Sequence, residues 1–199
     1  MPTKLPKDFY LQPEVVSIAQ QLLGKILCTR IGGKTTKAII TETEAYNGVM
    51  DKASHAYGNR NTPRTSTMYL EGGVAYIYLC YGIHHLFNVV THIEGVPHAV
   101  LVRAVQPAQG IEQMLLRRNR TKLDRILSSG PGTLSQALGI NTSLNAEPLT
   151  GNRIWIEDAP PVPQKDIITT TRIGVDYAAE DALLPYRFYI KDNKFVSKL

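Results

Sequence analysis

The chain has 199 residues, 43% of them hydrophobic, enough for one globular domain with a full core over residues 1–199. It carries 22 Lys and Arg against 17 Asp and Glu, a net charge of +5, which favours an anionic partner without identifying one. The longest apolar run, Val74 to Ile83, is too short to span a bilayer, and Cys28 and Cys80 lack metal-binding spacing, so no membrane span and no cysteine metal site is expected.

The start of the chain is polar and contains prolines, without an apolar signal core, so a soluble intracellular protein is expected. Residues 1–12 read as a lead-in. Glu14 to Leu23 predicts a helix ending at Gly24, with Val15, Ile18, Ala19, Leu22 and Leu23 on one side. Lys25 to Arg30 and Ala38 to Glu44 predict strands joined at Gly32-Gly33. Asn47 to Arg64 is a polar loop, long enough to be functional.

Val74 to Tyr81 and Leu86 to Thr91 predict paired strands with Gly82 at the bend, and Ala99 to Val105 a further strand. Ile111 to Arg120 has helical spacing, and Ser128 to Gly132 leads into a helix over Thr133 to Leu138. Asn152 to Glu157, Thr169 to Val175 and Tyr186 to Ile190 are the last predicted strands. Strands and helices mix without βαβ alternation. The expected class is α+β, a single compact domain with a curved, mostly antiparallel sheet flanked by helices. Both cysteines have apolar neighbours and are expected buried and reduced.

Glu42 and Glu44 lie two apart, so a regular strand points both to one side. One such carboxylate can serve as a general base on water, and the alternative is a pair of solvated acids at a strand end. Arg103 sits inside the apolar run Val100 to Val105, where a buried charge needs a partner. A Glu–Arg pair holding a water satisfies the structural and the catalytic reading alike. Tyr76 and Tyr78 share a strand face, Tyr76 as a core residue. Tyr81, at a hairpin tip, fits a ring inserted between bases. His55 reads as a hydrogen-bonded loop histidine. Asn88 must satisfy its amide, on backbone or on a base edge. Arg60 and Arg64 supply loop charge, and Arg117, Arg118, Arg120, Lys122 and Arg125 a second cluster. Ser128 to Gly132 exposes backbone N–H groups able to hold a phosphate.

Several segments, in order, resemble the mammalian-type alkyladenine (3-methyladenine) DNA glycosylase family. They are Glu42 to Tyr46, His55, Asn61 to Arg64, Tyr76 to Gly82, Asn88, Val100 to Ala104, Ser129 to Gly132 and Arg172 to Val175. The resemblance runs from about Ala38 to Tyr189. It implies one mixed α/β domain around a curved antiparallel sheet and a hydrolase acting on the N-glycosyl bonds of DNA. By that resemblance Glu44 is the general base, and Arg103 helps hold the water with a backbone carbonyl near Ile173 to Val175. Tyr46, His55 and Tyr78 line the base pocket, and Tyr81 fills the gap in the duplex. Asn88 rejects normal guanine. Arg60, Arg64, Ser129, Gly130 and Gly132 grip DNA. The implied partner is double-stranded DNA with damaged purines, acted on by a cytoplasmic monomer, nucleoid-associated if bacterial, with no metal or other cofactor. The competing readings are a non-catalytic protein that binds damaged DNA or RNA, and a glycosidase of small nucleosides or sugars.

Overall fold

The computed structural model describes residues 3–198. Eight strands form one curled antiparallel sheet: β1 (Ile26–Ile31), β2 (Lys34–Tyr46), β3 (Ala75–Cys80), β4 (His84–Thr91), β5 (His98–Gln109), β6 (Ile154–Glu157), β7 (Ile167–Thr170) and β8 (Arg187–Ile190). The main order is β3-β4-β5-β2-β1-β6, and β8 joins β2 and carries β7. Four α-helices accompany the sheet among the described residues: α1 (Lys7–Tyr10), α2 (Val15–Gln21), α3 (Ile111–Arg117) and α4 (Pro131–Leu138). The fold is α+β, as expected.

The sheet divides its residues by the strand period of two. Ile77, Phe87, Val89, Val100 and Val102 face the main core, with Ile18 of α2 and Leu134 and Leu138 of α4 in the same cluster. Burying each such side chain contributes about 1.5–3 kcal/mol. The alternate residues face the other way: Tyr76 and Tyr78 on β3, Leu86 and Asn88 on β4, Leu101 and Arg103 on β5, and Tyr46 on β2. Cross-strand pairing sets Tyr76, Asn88, Leu101 and Glu44 in one row across four strands.

β2 is the hinge of the topology. Its first half pairs with β1 and its second half, Glu42 to Glu44, with β8. On the other side its ladder with β5 steps from Ile40–Val105 to Glu42–Ala104 and then to Thr43–Val102. Thr41 on β2 and Arg103 on β5 are therefore left without ladder partners. Such bulges bend a strand and re-aim side chains.

Four details depart from the sequence reading. Of the expected lead-in over residues 1–12, the described part, residues 3–12, is more than that, because α1 buries Tyr10 completely. Cys28 is buried but Cys80 is half-exposed and lines the cavity described below. The strand expected over Thr169 to Val175 is shifted to Ile167–Thr170, and residues 171–175 form an irregular segment. The helix from Ile111 stops at Arg117 rather than Arg120. Among the described residues no helix is long and apolar enough to cross a membrane.

Candidate active site

The inner face of the sheet opens into a cavity of ≈ 640 Å³. Glu44 is fully buried directly behind three residues that line it, Tyr46, Arg103 and Ile173. Its Oε2 accepts from Tyr46 Oη at 2.9 Å and from Arg103 Nη1 at 3.2 Å. Its Oε1 accepts the backbone N–H of Ile173 at 2.8 Å. A carboxylate offers about four acceptor positions, so three donors leave one free on Oε1.

Glu42 does face the same side, as the strand spacing predicts, but it has a different environment. It is also fully buried and not solvated, and its donors differ. Oε1 accepts from Arg103 Nε at 3.1 Å, Arg187 Nε at 2.7 Å and Ser197 Oγ at 2.8 Å. Oε2 accepts Ser197 N–H at 2.6 Å. Of these donors only Arg103 lines the cavity, whereas all three donors to Glu44 do. Two carboxylates and two guanidiniums thus share one buried cluster. Burial disfavours the Arg103 cation, but Glu44 and then Glu42 outweigh it and hold its pKa above the ordinary value.

The other walls are aromatic. His55 and Tyr78 meet edge to face with ring centroids 4.6 Å apart, and Tyr76 lies 5.4 Å from Tyr78. His55 Nδ1 pairs with Tyr76 Oη at 3.0 Å. Burial, reinforced by the nearby Arg64 and Arg60 charges, pushes the His55 pKa down to about 4, so the ring is neutral at pH 7. Burial raises Tyr76 to about 12 and raises Tyr46 and Tyr78 as well, so these rings are uncharged too. Tyr76 is a buried core residue, as the sequence suggests, yet it also lines the cavity.

Asn88 is buried with its Nδ2 donating to the backbone oxygens of Tyr76 at 3.1 Å and Leu86 at 3.4 Å. The amide is satisfied on backbone, and it lines the cavity. Tyr81 stands at the rim with 92% of its surface exposed. Ile83 N–H donates to Cys80 O at 3.2 Å, closing a turn in which Tyr81 has φ +50° and Gly82 φ +74°. Two positive φ values make a mirror-image hairpin turn, which favours Asn-Gly rather than Tyr-Gly. A tyrosine held there is strained, and such strain gathers at functional positions.

The basic and phosphate-binding candidates separate. Arg64 lines the cavity with its guanidinium 5.0 Å from the Tyr78 ring centre. Arg60 is exposed on the loop surface, outside the cavity lining. Gly130 and Gly132 line the cavity at the start of α4, whereas Ser129 sits behind them with its Oγ buried and unpartnered. A Cβ on Gly132 would come within 2.8 Å of the His84 ring, so glycine is what lets α4 approach the hairpin.

Sequence reasoning missed Asp51 and gave Arg172 no role. Arg172 donates to Asp51 Oδ2 at 2.5 Å and Oδ1 at 2.9 Å, and to Ala45 O at 3.0 Å. Its guanidinium lies 4.9 Å from the Tyr46 ring centre. This bidentate pair joins the 47–55 loop, which carries His55, to the segment that carries Ile173. A lone Asp in a polar loop gives no local signal of such a pairing. Among the described residues no cluster of three or more His, Cys, Asp or Glu is placed to hold a metal ion.

A buried carboxylate held by three residues of a ring-lined cavity suits a hydrolase that handles a flat substrate. The model of the methylpurine-DNA glycosylase family matches residues 8–194. A protein of Chlamydia felis assigned as a 3-methyladenine DNA glycosylase is 47% identical over 96% of this chain and 97% of its own length. Proteins with the same assignment from Desulfitobacterium hafniense and Clostridium perfringens are each 41% identical, over 98% of this chain and 98% and 99% of their own lengths. The chain belongs to the methylpurine-DNA glycosylase family. It is an N-glycosylase hydrolase, a DNA-binding enzyme of DNA repair.

Proposed function

We propose that this glycosylase flips a damaged purine out of duplex DNA into the cavity and hydrolyses its glycosidic bond with Glu44 as general base. The observation that carries the reading is the state of Glu44, fully buried, fixed by three donors and left with one acceptor position. A water donating to that position gives up a proton to Glu44 as its oxygen bonds to C1′. The C1′–N bond breaks, and its electron pair leaves with the purine. An alkylated purine is already cationic, so it departs neutral without an added proton. The nearby carboxylate stabilises the oxocarbenium-like sugar in between.

The walls suit that substrate. Neutral His55 and the uncharged rings of Tyr46, Tyr76 and Tyr78 offer electron-rich faces to a cationic base. A base inside a duplex is out of reach, so it must be flipped, and exposed Tyr81 is suited to take its place in the stack. Asn88, at the cavity wall, crowds the exocyclic amino group of guanine. Arg60, Arg64 and the turn at Ser129, Gly130 and Gly132 bear on the phosphates. The substrates are 3-methyladenine first, then 7-methylguanine, both cationic in DNA; hypoxanthine and ethenoadenine are neutral there and follow only where water protonates the departing base. One pocket and one wedge suffice for the reaction, so the expected form is a monomer comprising a single glycosylase domain, working in the cytoplasm and nucleoid-associated if bacterial.

The test is release of free purines from methylated duplex DNA by the parent and by Glu44→Gln. The parent should release 3-methyladenine while Glu44→Gln binds the same DNA and releases none. Equal release by both would remove Glu44 from the mechanism. Tight binding without release by either would favour a non-catalytic damage-binding protein. Comparable turnover of free alkylated nucleosides would favour a small-molecule glycosidase.

A further inference from the structure

The reading above leaves Glu42 and the segment after β8 without a task. Asn193 to Ser197 runs under the charged cluster and is tied to the two bulged positions. Thr41 Oγ1 donates to Phe195 O at 2.5 Å, and Val196 is buried. Arg103 Nη2 lies 3.5 Å from Ser197 Oγ. Asn193 Nδ2 donates to Gln106 Oε1 of β5 at 2.9 Å, and its Oδ1 accepts Phe195 N–H at 2.8 Å. The backbone oxygen of Lys198 accepts from Arg187 Nη2. The bulges that take Thr41 and Arg103 out of the ladder thus turn both toward this segment. Ser197 lies beyond the residues matched by the family model.

We propose that Asn193 to Ser197 belongs to the catalytic apparatus, with Ser197 acting through Glu42 as a positioning residue for Arg103 and hence for Glu44. Ser197 supplies two of the four donors to Glu42, its N–H at 2.6 Å and its hydroxyl at 2.8 Å. Arg103 spans Glu42 through Nε and Glu44 through Nη1. A guanidinium is planar and rigid, so fixing Nε fixes the direction of Nη1. Loss of a donor at Glu42 lets that carboxylate turn. Arg103 turns with it, and the Glu44 oxygens leave the line of attack. An error of about 1 Å in such a position can cost about a hundredfold in rate. A purely structural role would instead make Ser197 one more anchor of the strand edge, with no effect on the chemical step of folded enzyme.

The proposal rests on the reading of Glu44 as the base. The experiment is single-turnover release of 3-methyladenine from methylated duplex DNA by the parent, Ser197→Ala, Ser197→Thr and Glu44→Gln. Limiting rate, half-saturating enzyme concentration and melting temperature are recorded for each. Ser197→Ala should lower the limiting rate by about tenfold or more. Its half-saturation should stay at the parent value, and its melting temperature within about 4 °C. Ser197→Thr keeps both donors and should restore most of the rate. A parental limiting rate in Ser197→Ala, or a Ser197→Thr protein as slow as Ser197→Ala, would overturn the proposal. Activity retained by Glu44→Gln would instead overturn the reading of Glu44. An inactive Glu44→Gln beside a fully active Ser197→Ala would remove only the role of Ser197.

Discussion

Ile173 donates its backbone N–H to Glu44 across 129 residues of sequence, at 2.8 Å. The donor belongs to an irregular segment and the acceptor to the longest strand of the sheet. What keeps the donor in place is the neighbouring Arg172, clamped on Asp51 and on the backbone of Ala45. The carboxylate is therefore aimed from three directions: along its own strand by Tyr46, from the adjacent strand by Arg103, and from this distant loop.

Loss of the Arg103 charge should be costly for both stability and activity. Arg103 is 8% exposed and bridges two fully buried carboxylates. Arg103→Ala leaves Glu44 without a cation and Glu42 with Arg187 alone. Breaking a buried pair from one side costs about 3–5 kcal/mol. Urea denaturation should show a loss of that size, and base release should fall below detection even at temperatures where the variant is folded.

The clamp behind Ile173 makes a different prediction. Arg172→Lys keeps the charge but removes the two-pronged bond to Asp51. The limiting excision rate should fall by more than tenfold, and stability by about 2 kcal/mol or more. An Arg172→Lys protein with the parental rate would show that the Ile173 N–H needs no such support.

Tyr81 should separate binding from folding. It is exposed and sits at φ +50°, a conformation that favours glycine. Tyr81→Gly relieves the turn while adding chain entropy to the unfolded state, so stability should stay within about 1 kcal/mol of the parent. Affinity for damaged duplex should fall at least tenfold if the ring fills the space of the flipped base. Unchanged affinity measured by fluorescence anisotropy would exclude that use.

The histidines give the fold a pH window. The pKa of His55 drops from 6.5 to about 4 on burial, with Arg64 and Arg60 adding to the effect, and burial takes His98 to about 4 as well. Between those values the unfolded chain binds more protons than the folded one. Stability is therefore full above about pH 6.5 and falls as the pH drops toward 4. Melting temperature followed across this range should decline less steeply in His55→Gln than in the parent. An identical slope would mean that His55 charges without strain inside the folded cavity.

Much of this molecule could be read locally. The alternation of Tyr76, Ile77 and Tyr78, the Gly32-Gly33 and Tyr81-Gly82 turns, and the apolar stripe of α2 all encode their elements in neighbouring residues, because strand and helix periods are local properties. The sequence likewise set Glu42 and Glu44 on one side of a strand and left Arg103 inside an apolar run in need of a partner. Local pattern could not say that Arg103 would serve both acids, since that depends on two bulges visible only when β2 and β5 are paired. Nor could it separate the acids. Glu42 takes two of its donors from Ser197, and Glu44 is held by Tyr46, Arg103 and Ile173 at the cavity wall, because the chain returns 155 residues later beside one and not the other. Element type follows from short-range sterics and hydrophobic spacing. The division of labour between two buried carboxylates follows from which donors long-range packing delivers to each.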